Sequence, residues 1–434
     1  MSCSLLLKTT TSSETASPMT DSKSLYLAAF VRSLATGMIG VLLGVYLAEL
    51  RLDAGAIGVI IGTGLAGAAL ATLLVTLLAD RVGRRRSLVI IALLGFLGAV
   101  LLAFSAHPLV LGAAAFLGMV NGMGRDRGAA LVLEQAILPD TTSDRERTTA
   151  FARYNVLQDI GHALGALLAA MPALLQHWVV SETSAFRFSI ATYAALCLLP
   201  CIVYIRLSSR VERSHLTVRE RVSPQTRKIL WRISSLFALD SLGGGFLTTA
   251  LLSLFFHERF GASVESIAGL FFCARILNAA SHIAAAWLAR RIGLVNTMVF
   301  THMPSSVLLV TVAFAPSFAI AAALFLLREG LVEMDVPTRQ SYVMAVVGPQ
   351  ERTLASGVTH LVRLGAWAIA PMFAGFLMTG SSLATPLIAG AAMKLLYDGL
   401  LWRAFRSIRP PEELTISGAV SDPPARAYTS SSHE

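Results

Sequence analysis

The sequence predicts an all-α membrane protein whose chain crosses the bilayer twelve times. Hydrophobic residues make up 55% of its 434 residues and charged residues only 14%, against about 25% charged in soluble domains, and the mean hydropathy is +0.67. Between two polar tails the chain falls into apolar runs of about 20 residues, the length that a helix needs to span the hydrocarbon core. This composition excludes a water-soluble globular protein.

Charge and turn breaks between the apolar runs predict the limits of the helices. The polar tails, 1–23 and 406–434, are expected to be disordered, and the polar loop 207–228 divides the chain into two helical bundles, 24–206 and 229–405. The twelve predicted helices are 24–50, 55–79, 87–106, 109–135, 148–175, 186–206, 229–256, 264–289, 295–314, 317–338, 352–378 and 383–405.

The basic residues predict the orientation of the chain. With both termini inside, the inner tails and connections carry 22 lysines and arginines, and the outer connections carry three. Positive charge accumulates on the cytoplasmic side of membrane proteins, so both termini are predicted to be cytoplasmic. Because these charges alternate with apolar runs and lack interleaved aromatic residues, they do not indicate nucleic-acid binding. The excess of 31 arginines over 4 lysines fits a GC-rich bacterial genome and hence a bacterial inner membrane.

The two halves share short sequence matches at a nearly constant offset. Residues 79–83, ADRVG, match 289–293, ARRIG, at an offset of 210, and the triplet ERT at 146–148 recurs at 351–353 at an offset of 205. Matches in the same order indicate an internal duplication. The chain is therefore predicted to be a parallel six-plus-six repeat around a central axis.

A charged turn follows the second predicted helix. Residues 76–86, TLLADRVGRRR, resemble the signature G-x-x-x-D-R-x-G-R-R-R between helices two and three of the major facilitator superfamily. Gly83 permits a tight turn, Asp80 can cap a neighbouring helix, and the arginines hold the loop at the anionic inner leaflet. The residues of this expected cytoplasmic gate are Asp80, Arg81, Gly83, Arg84, Arg85 and Arg86.

With twelve helices, the repeat and a basic central loop, the resemblance covers essentially the whole chain. It implies the fold of the superfamily, with two pseudo-symmetric six-helix bundles, and secondary transport of a small solute by alternating access. It also implies that helices one, four, seven and ten line a central cavity. The glycine-proline signature of antiporters on helix five is missing, which leaves uptake open beside efflux.

Ionisable side chains inside membrane helices are costly and are therefore candidates for transport chemistry. A rise of 1.5 Å per residue puts Arg32 about 12 Å and Asp240 about 17 Å into the membrane, and 208 residues separate them. They are expected to face the cavity with opposite charges, or else to form a structural ion pair between the halves. The predicted cavity residues are Arg32, Asp240, Arg328, Glu329, Glu333, Asp335, Arg275, Asp159 and Arg363, whose near balance of charge does not favour a strongly charged substrate.

Helix ten carries the most charge. Glu329 and Glu333 are four residues apart on one helical face, where two carboxylates in a low dielectric do not both ionise easily. They are predicted to share a proton and to form the proton-coupling site, with Arg328 and Asp240 contacting substrate or counter-charge. The alternative is a salt-bridge cluster without a role in transport.

Two further groups of polar residues lie inside predicted helices. Asp159 and Arg363 are expected to form a structural or gating pair across the pseudo-axis. Arg275, Asn278 and His282, at spacings of three and four, form one polar stripe on helix eight. His282 could titrate there or serve in packing.

Helix four contains a glycine-rich, charged segment at 118–128. Its glycines let another helix approach closely, and Arg125 and Asp126 are expected to work with the Asp80 loop as a cytoplasmic gate. Arg84 or Arg85 would pair with Glu134 or Asp140, in a link that stabilises the outward-open state. A second glycine pattern, 62–67, fits G-x-G-x-x-G but lies inside a predicted helix, and so indicates helix packing and not dinucleotide binding.

These observations favour proton-coupled efflux of a small amphiphilic or toxic compound. The alternatives are proton-coupled uptake of a metabolite, efflux of a metalloid bound by Cys197 and Cys201, and a membrane sensor that transports nothing. The sequence has no H-E-x-x-H, G-x-S-x-G or phosphate-loop motif, so neither an enzyme, a cofactor nor a metal site is expected. The expected partners are the lipid bilayer, protons and a small-molecule substrate, with the protein working as a monomer.

Overall fold

The computed structural model describes residues 18–141, 147–176, 178, 181–212, 224–336, 338–339, 342 and 352–405. Within these residues all regular structure is helical, which confirms the predicted all-α class. The predicted tails beyond residues 18–405, and residues 213–223 of the predicted central loop, lie outside the described residues.

Fifteen bounded α-helices make up most of the described part, beside two 3-10 turns, Leu138–Thr141 and Ser209–Glu212, and helical residues at 335–336, 338–339 and 342. The fifteen helices are α1 (Pro18–Glu49), α2 (Ala54–Val82), α3 (Arg84–Phe104), α4 (Pro108–Gly118), α5 (Ala129–Ile137), α6 (Arg147–Leu168), α7 (Met171–Leu175), α8 (Glu182–Ile205), α9 (Pro224–Gly245), α10 (Thr249–Phe260), α11 (Val264–Ile292), α12 (Leu294–Ala313), α13 (Phe318–Val332), α14 (Arg352–Gly380) and α15 (Thr385–Phe405).

Eight helical segments in the described residues are long and apolar enough to cross a membrane, with α9 and α10 counted together. The remaining four predicted spans correspond to α4 with α5, α6 with α7, α13, and α15. These are broken, short or charged, because they contain most of the polar groups that line the interior. The side of the bundle at which α1 begins and α15 ends is called the near side here, and the opposite side is the far side.

Polar caps and glycines fix the ends of the helices. Five helices are preceded by an N-cap residue whose side chain accepts a backbone N–H bond from the first turn. These residues are Asp53 before α2, Ser181 before α8, Thr248 before α10, Ser263 before α11 and Ser317 before α13. On the near side, Gly83 joins α2 to α3 at φ +103° and Gly293 joins α11 to α12 at φ +86°. Because side chains disfavour this backbone region, the two matched turns support the predicted internal repeat.

Three predicted helices are interrupted in the middle of the bundle. The span predicted at 109–135 ends at Gly118 and resumes at Ala129, the span at 229–256 breaks between Gly245 and Thr249, and the span at 317–338 ends its regular helix at Val332. Glycine-rich sequence at the first two breaks weakens the helix. The breaks in the two halves also bond to each other, since Ala250 N–H donates to the Gly122 carbonyl at 3.0 Å.

The two halves pack against each other through α1 with α10, α2 with α14, and α6 with α11. On the far side the approach is close, because a Cβ at Gly58 or at Gly375 would overlap the backbone of the facing helix. The Gly55 N–H also donates to Thr379 Oγ1 at 2.9 Å. On the near side, the bond between the Ser22 and Thr141 hydroxyls, 2.9 Å long, lies within one half.

The glycine pattern at 62–67 packs helices, as predicted. A Cβ at Gly62 would meet Ala368 and Met372 of α14, and a Cβ at Gly64 or Gly67 would overlap the backbone of Val120 or Phe116. These glycines allow α2 to contact α4 in its own half and α14 in the other half. The dinucleotide interpretation is therefore excluded for this segment.

Candidate functional site

Arg32 is bound by acidic and phenolic groups of its own half. Its guanidinium forms an ion pair with Asp126 and a bidentate pair with Glu134, at 2.7 and 2.9 Å. The Glu134 carboxylate, which has no exposed surface, also accepts the hydroxyls of Tyr154 and Tyr204, both at 2.6 Å. Four donors therefore saturate this carboxylate, as a buried charge requires.

Asp240 is held in the same way in the second half. Its carboxylate accepts bonds from Arg339 at 2.8 Å and from Lys394 at 2.9 Å. Arg339 also pairs with Asp335 at 3.1 Å. Arg32 and Asp240 thus do not pair between the halves, and each binds a counter-ion in its own half.

The two ion pairs occupy equivalent positions with their charges exchanged. Arg32 and Asp240 are 208 residues apart, and their partners Glu134 and Arg339 are 205 residues apart. These are the offsets at which the sequence repeats. Each half therefore joins its first helix to its fourth by an ion pair, with the cation on the first helix in one half and on the fourth in the other.

A chain of titratable groups leads from Asp240 through Lys394 and His302, which also line the cavity, to Asp398 behind the lining. Lys394 Nζ lies 3.2 Å from Nε2 of His302, and Nδ1 of His302 lies 2.9 Å from the Asp398 carboxylate. All of these side chains are buried, with Asp398 completely so. A neutral imidazole with its proton on Nδ1 satisfies both contacts, because it donates to Asp398 and accepts from Lys394.

The central cavity lies between the halves and, with the open space at its mouth included, measures about 790 Å³. The first half contributes Met123, Arg125 and Arg127 from the break between α4 and α5. The rest of the lining comes from the second half. The Arg125 side chain bonds across the cavity to Glu333 at 2.9 Å and so links the halves.

The charge of the cavity differs from the predicted near balance. The lining holds seven cations, Arg125, Arg127, Arg275, Arg328, Arg339, Arg363 and Lys394, and four carboxylates, Asp240, Glu329, Glu333 and Asp335. The excess is three positive charges, with His302 counted as neutral. The sequence estimate was wrong because it included Arg32 and Asp159, which lie outside this lining, and omitted Arg125, Arg127, Arg339 and Lys394.

Glu329 and Glu333 do not contact each other through a shared proton. Glu329 forms an ion pair with Arg328 and accepts a bond from Asn278 at 2.9 Å, whereas Glu333 pairs with Arg125. Helix α13 ends at Val332, so Glu333 lies in the following turn. A spacing of four residues puts two side chains on one face only within a continuous helix, so Glu329 and Glu333 do not share a helical face here.

The expected pair of Asp159 and Arg363 does not form either. Arg363 donates to Ser241 at 3.1 Å and stacks on Trp367, 4.7 Å from the ring centre. The ionisable neighbours of Asp159 are Arg125, His282, Arg275 and Glu333. The polar stripe predicted on helix eight lies on α11, but its members bind different groups. Asn278 donates to Glu329, whereas Arg275 donates to Thr249 at 3.2 Å.

The expected gate residues separate into two places. Arg125, Asp126 and Glu134 belong to the central networks, and the Glu134 carboxylate is bound by Arg32 and two tyrosines, not by Arg84 or Arg85. On the near side, Glu212 accepts the backbone N–H groups of Arg84 at 2.6 Å and Arg85 at 3.3 Å and so caps α3. The Asp80 and Asp140 side chains lie outside the described residues, and Arg81 and Arg86 are exposed.

Sequence reasoning missed several groups of this centre. Lys394 and Asp398 lie four residues apart in an apolar helix, and His302 lies in another, so the rule for intramembrane charges would have selected them. The roles of Tyr154, Tyr204 and Trp367 had no such signal. In the described residues no group of three His, Cys, Asp or Glu side chains could hold a metal ion.

Two six-helix halves around a charged central cavity define a membrane transporter. The family model of the Major Facilitator Superfamily matches residues 25–371, and the chain belongs to this superfamily. It is therefore a secondary transporter and not an enzyme, and its fold works by alternating access.

Known proteins with this fold resemble the chain over nearly its whole length. The uncharacterised membrane protein YJR124C of Saccharomyces cerevisiae is 23% identical over 88% of this chain and 93% of its own. Among solved structures, a bacterial homologue of the human lysosomal transporter Spinster, inward-facing and unoccupied, has a TM-score of 0.72 at 14% identity over 93% and 99% of the two chains. The nucleoside transporter NupG has a TM-score of 0.71 at 14% identity over 89% and 99%.

Proposed function

We propose that the protein couples proton movement to the transport of a small solute across the membrane. The supporting observation is the buried chain Asp240–Lys394–His302–Asp398, which begins at the lining of the cavity. With Asp335 and Arg339, it contains three carboxylates, two cationic side chains and one imidazole. One proton on the imidazole therefore decides whether this group of charges is balanced or one charge negative.

Protonation of His302 changes its contacts. The neutral imidazole accepts a bond from Lys394, but the imidazolium has only donors, so its Nε2 and the ammonium repel each other. Nε2 lies 3.8 Å from Asp240, which then becomes its better partner. The competition between His302 and Lys394 for Asp240 loosens a contact of α9 with α15, and in this way the proton is linked to the shape of the cavity.

Charged groups of both signs surround this histidine. Its direct contacts are with Lys394 and Asp398 on α15, and Asp240 on α9 lies 3.8 Å from Nε2. Tyr397 packs edge-on at 6.0 Å, and Arg339 and Arg363 lie around Asp240. This position between acidic and basic groups supports the assignment of the transported proton to this chain.

The arrangement of the halves supports an inward-facing state. Close contacts between them, Gly58 with Gly375 and Gly55 with Thr379, lie on the far side. If both termini are cytoplasmic, as the basic residues predict, the far side is the outer side and is closed. The protein would then release or accept its solute from the cytoplasm in this conformation.

The proposal is tested with purified protein in liposomes of known orientation that hold a fluorescent pH dye, screened with cationic, neutral and anionic solutes. We expect solute-dependent proton movement in the wild type. In His302→Gln, proton movement is lost while solute exchange without a gradient is kept. His257→Gln is the control, since its Nδ1 only bonds to the Ala262 carbonyl near the far side.

The sign of the proton movement separates the two directions of transport. Protons moving against the solute support efflux, and protons moving with it support uptake. Full proton coupling in His302→Gln would contradict the assignment of the proton to this chain, and solute transport without any proton movement in the wild type would contradict coupling itself.

A further inference from the structure

Three arginines of the cavity have no carboxylate partner among the described residues. Arg127 and Arg363 lie over the same indole ring of Trp367, at 4.5 and 4.7 Å from its centre. The polar contacts of Arg363 and Arg275 are to the hydroxyls of Ser241 and Thr249. These three side chains account for the excess of three positive charges in the lining.

The other cations of the cavity differ from this group. Arg125 is neutralised by Glu333, Arg328 by Glu329, and Arg339 and Lys394 by Asp240 and Asp335. An unpaired cation in a membrane interior is costly, and three of them around one space also repel each other. The hydroxyl and indole contacts orient the guanidinium groups without neutralising them, so their charge remains available to a ligand.

The cavity also holds a buried N–H donor, which belongs to Arg328. Arg328 is only 6% exposed, and its Nε has no hydrogen-bond partner in the described structure. Guanidinium groups present several N–H donors in a planar fork that matches carboxylate, sulfonate and phosphate oxygens. The cavity thus offers both positive charge and unused donors.

The wall beside the arginines is apolar. Phe271 precedes Arg275 by one helical turn on α11 and packs edge-on against Phe325 at 5.6 Å. Leu252 and Val332 continue the same surface. A ligand that satisfies both parts of the cavity carries an anionic group at one end and an aromatic or aliphatic body at the other.

We propose that the substrate is an amphiphilic organic anion whose acidic group binds Arg127, Arg275 and Arg363 and whose apolar body lies against Phe271 and Phe325. This inference rests on the transport function proposed above and names the substrate class of the same cavity. It replaces the expectation of a substrate without strong charge.

Binding to the purified full-length protein in detergent at pH 7 tests the proposal without any gradient. The probes are 2-naphthalenesulfonate, its neutral sulfonamide, 2-naphthylmethylammonium and inorganic sulfate. We expect a rise in the thermal unfolding midpoint with the sulfonate and a smaller rise or none with the other three. A response to sulfate equal to that of the sulfonate indicates a site for inorganic anions and contradicts the proposal, as does a preference for the neutral or cationic probe.

Variants then place the anion. In Arg275→Gln and Arg363→Gln, the apparent dissociation constant for the sulfonate rises about tenfold or more, because each loses a charged hydrogen bond to the ligand. Arg291→Gln is the matched control, since Arg291 lies on the same helix as Arg275, is exposed and stacks on Trp287 outside the cavity. Unchanged binding in both cavity variants would overturn the assignment.

The free protein gives a second readout. Loss of an unpaired cation relieves repulsion, so the ligand-free unfolding midpoint of Arg363→Gln equals or exceeds that of the wild type, whereas a structural role predicts a fall. Charge-selective binding without proton-coupled flux would contradict only the proton proposal. Proton-coupled flux with neutral or cationic solutes, and no selective binding of the sulfonate, would overturn only the anion proposal.

Discussion

At the scale of single residues, the centre of the molecule separates satisfied charges from unsatisfied ones. Glu134 is fully buried and accepts bonds from Arg32, Tyr154 and Tyr204. Arg127 and Arg363 instead lie over the indole of Trp367, and Arg363 donates to Ser241, without an ion pair to a carboxylate among the described residues. A saturated, buried carboxylate is suited to holding helices together. Unneutralised cations at a cavity are suited to holding a ligand.

We therefore expect Glu134→Gln to destabilise the protein. The glutamine keeps the shape of the side chain but removes one of the two charges paired with Arg32, which leaves Asp126 as its ion-pair partner, and breaking a buried ion pair costs about 3 kcal/mol or more. The free energy of unfolding in mixed detergent micelles, followed by SDS titration, measures this loss.

Glu265→Gln is the control for that measurement. Glu265 is exposed in the first turn of α11, so its neutralisation is expected to change the free energy of unfolding by less than about 0.5 kcal/mol. Equal stability of Glu134→Gln and the wild type would show that Asp126 alone neutralises Arg32, and the structural role of Glu134 would then be wrong.

The sequence predicted which residues carry intramembrane charge better than it predicted their partners. Arg32 and Asp240 were recognised as equivalent positions, because the repeat offset and the rule for buried charge both apply to a single position. Their partners were not recognised, since a partner depends on how each helix is rotated and where it is interrupted. Glu333 shows this directly, because one residue beyond the end of α13 it faces Arg125 of the other half.

At the scale of helices, glycine has opposite effects in different places. Inside α2 it allows close packing while the helix stays regular, as at Gly58 and Gly64. Between α4 and α5, several glycines within a few residues accompany an interruption, which places Arg125 and Arg127 in the cavity. The apolar pattern of the sequence continues through these breaks, so hydropathy predicted the number of spans and the all-α class but not the interruptions.

The contact of α2 with α14 predicts the effect of one added methyl group. A Cβ at Gly375 would overlap the backbone of Gly58 and Ala54, and such overpacking costs about 1–3 kcal/mol. Because this contact joins the halves, Gly375→Ala is expected to shift the protein towards conformations that are open on the far side. Electron–electron resonance distances between spin labels at the exposed residues Leu109 and Phe314 measure the opening.

Gly365→Ala on the same helix is the matched control for this shift. A Cβ at Gly365 meets nothing within 4 Å, so its distance distribution should equal that of the wild type. An unchanged distribution in Gly375→Ala as well would mean that the far-side contact yields without separating the halves.

At the scale of the whole molecule, the halves are joined in two different ways. The far side is held by close backbone contact between α2 and α14. The centre is held by the ion pair of Arg125 and Glu333 and by the bond from the Ala250 N–H to the Gly122 carbonyl. Under the proposed function, the centre is the part expected to respond to substrate and protons, and the far side is the part expected to separate when the cavity opens in the other direction.

A disulfide across the far side is expected to stop transport. An ideal Cβ at Gly55 lies 3.4 Å from Thr379 Oγ1, within the range in which two cysteines can bond. In a background without native cysteines, oxidation of Gly55→Cys/Thr379→Cys should abolish solute flux in liposomes, and a reductant should restore it. The control Ser22→Cys/Thr141→Cys joins hydroxyl positions 2.9 Å apart within one half, so oxidation should leave its flux intact.

If the far-side disulfide forms and flux persists, the two halves do not separate at α2 and α14, and the cavity must open by a route other than their rocking. Loss of flux in both pairs would instead show that movement inside the first half, and not only between the halves, is needed for transport.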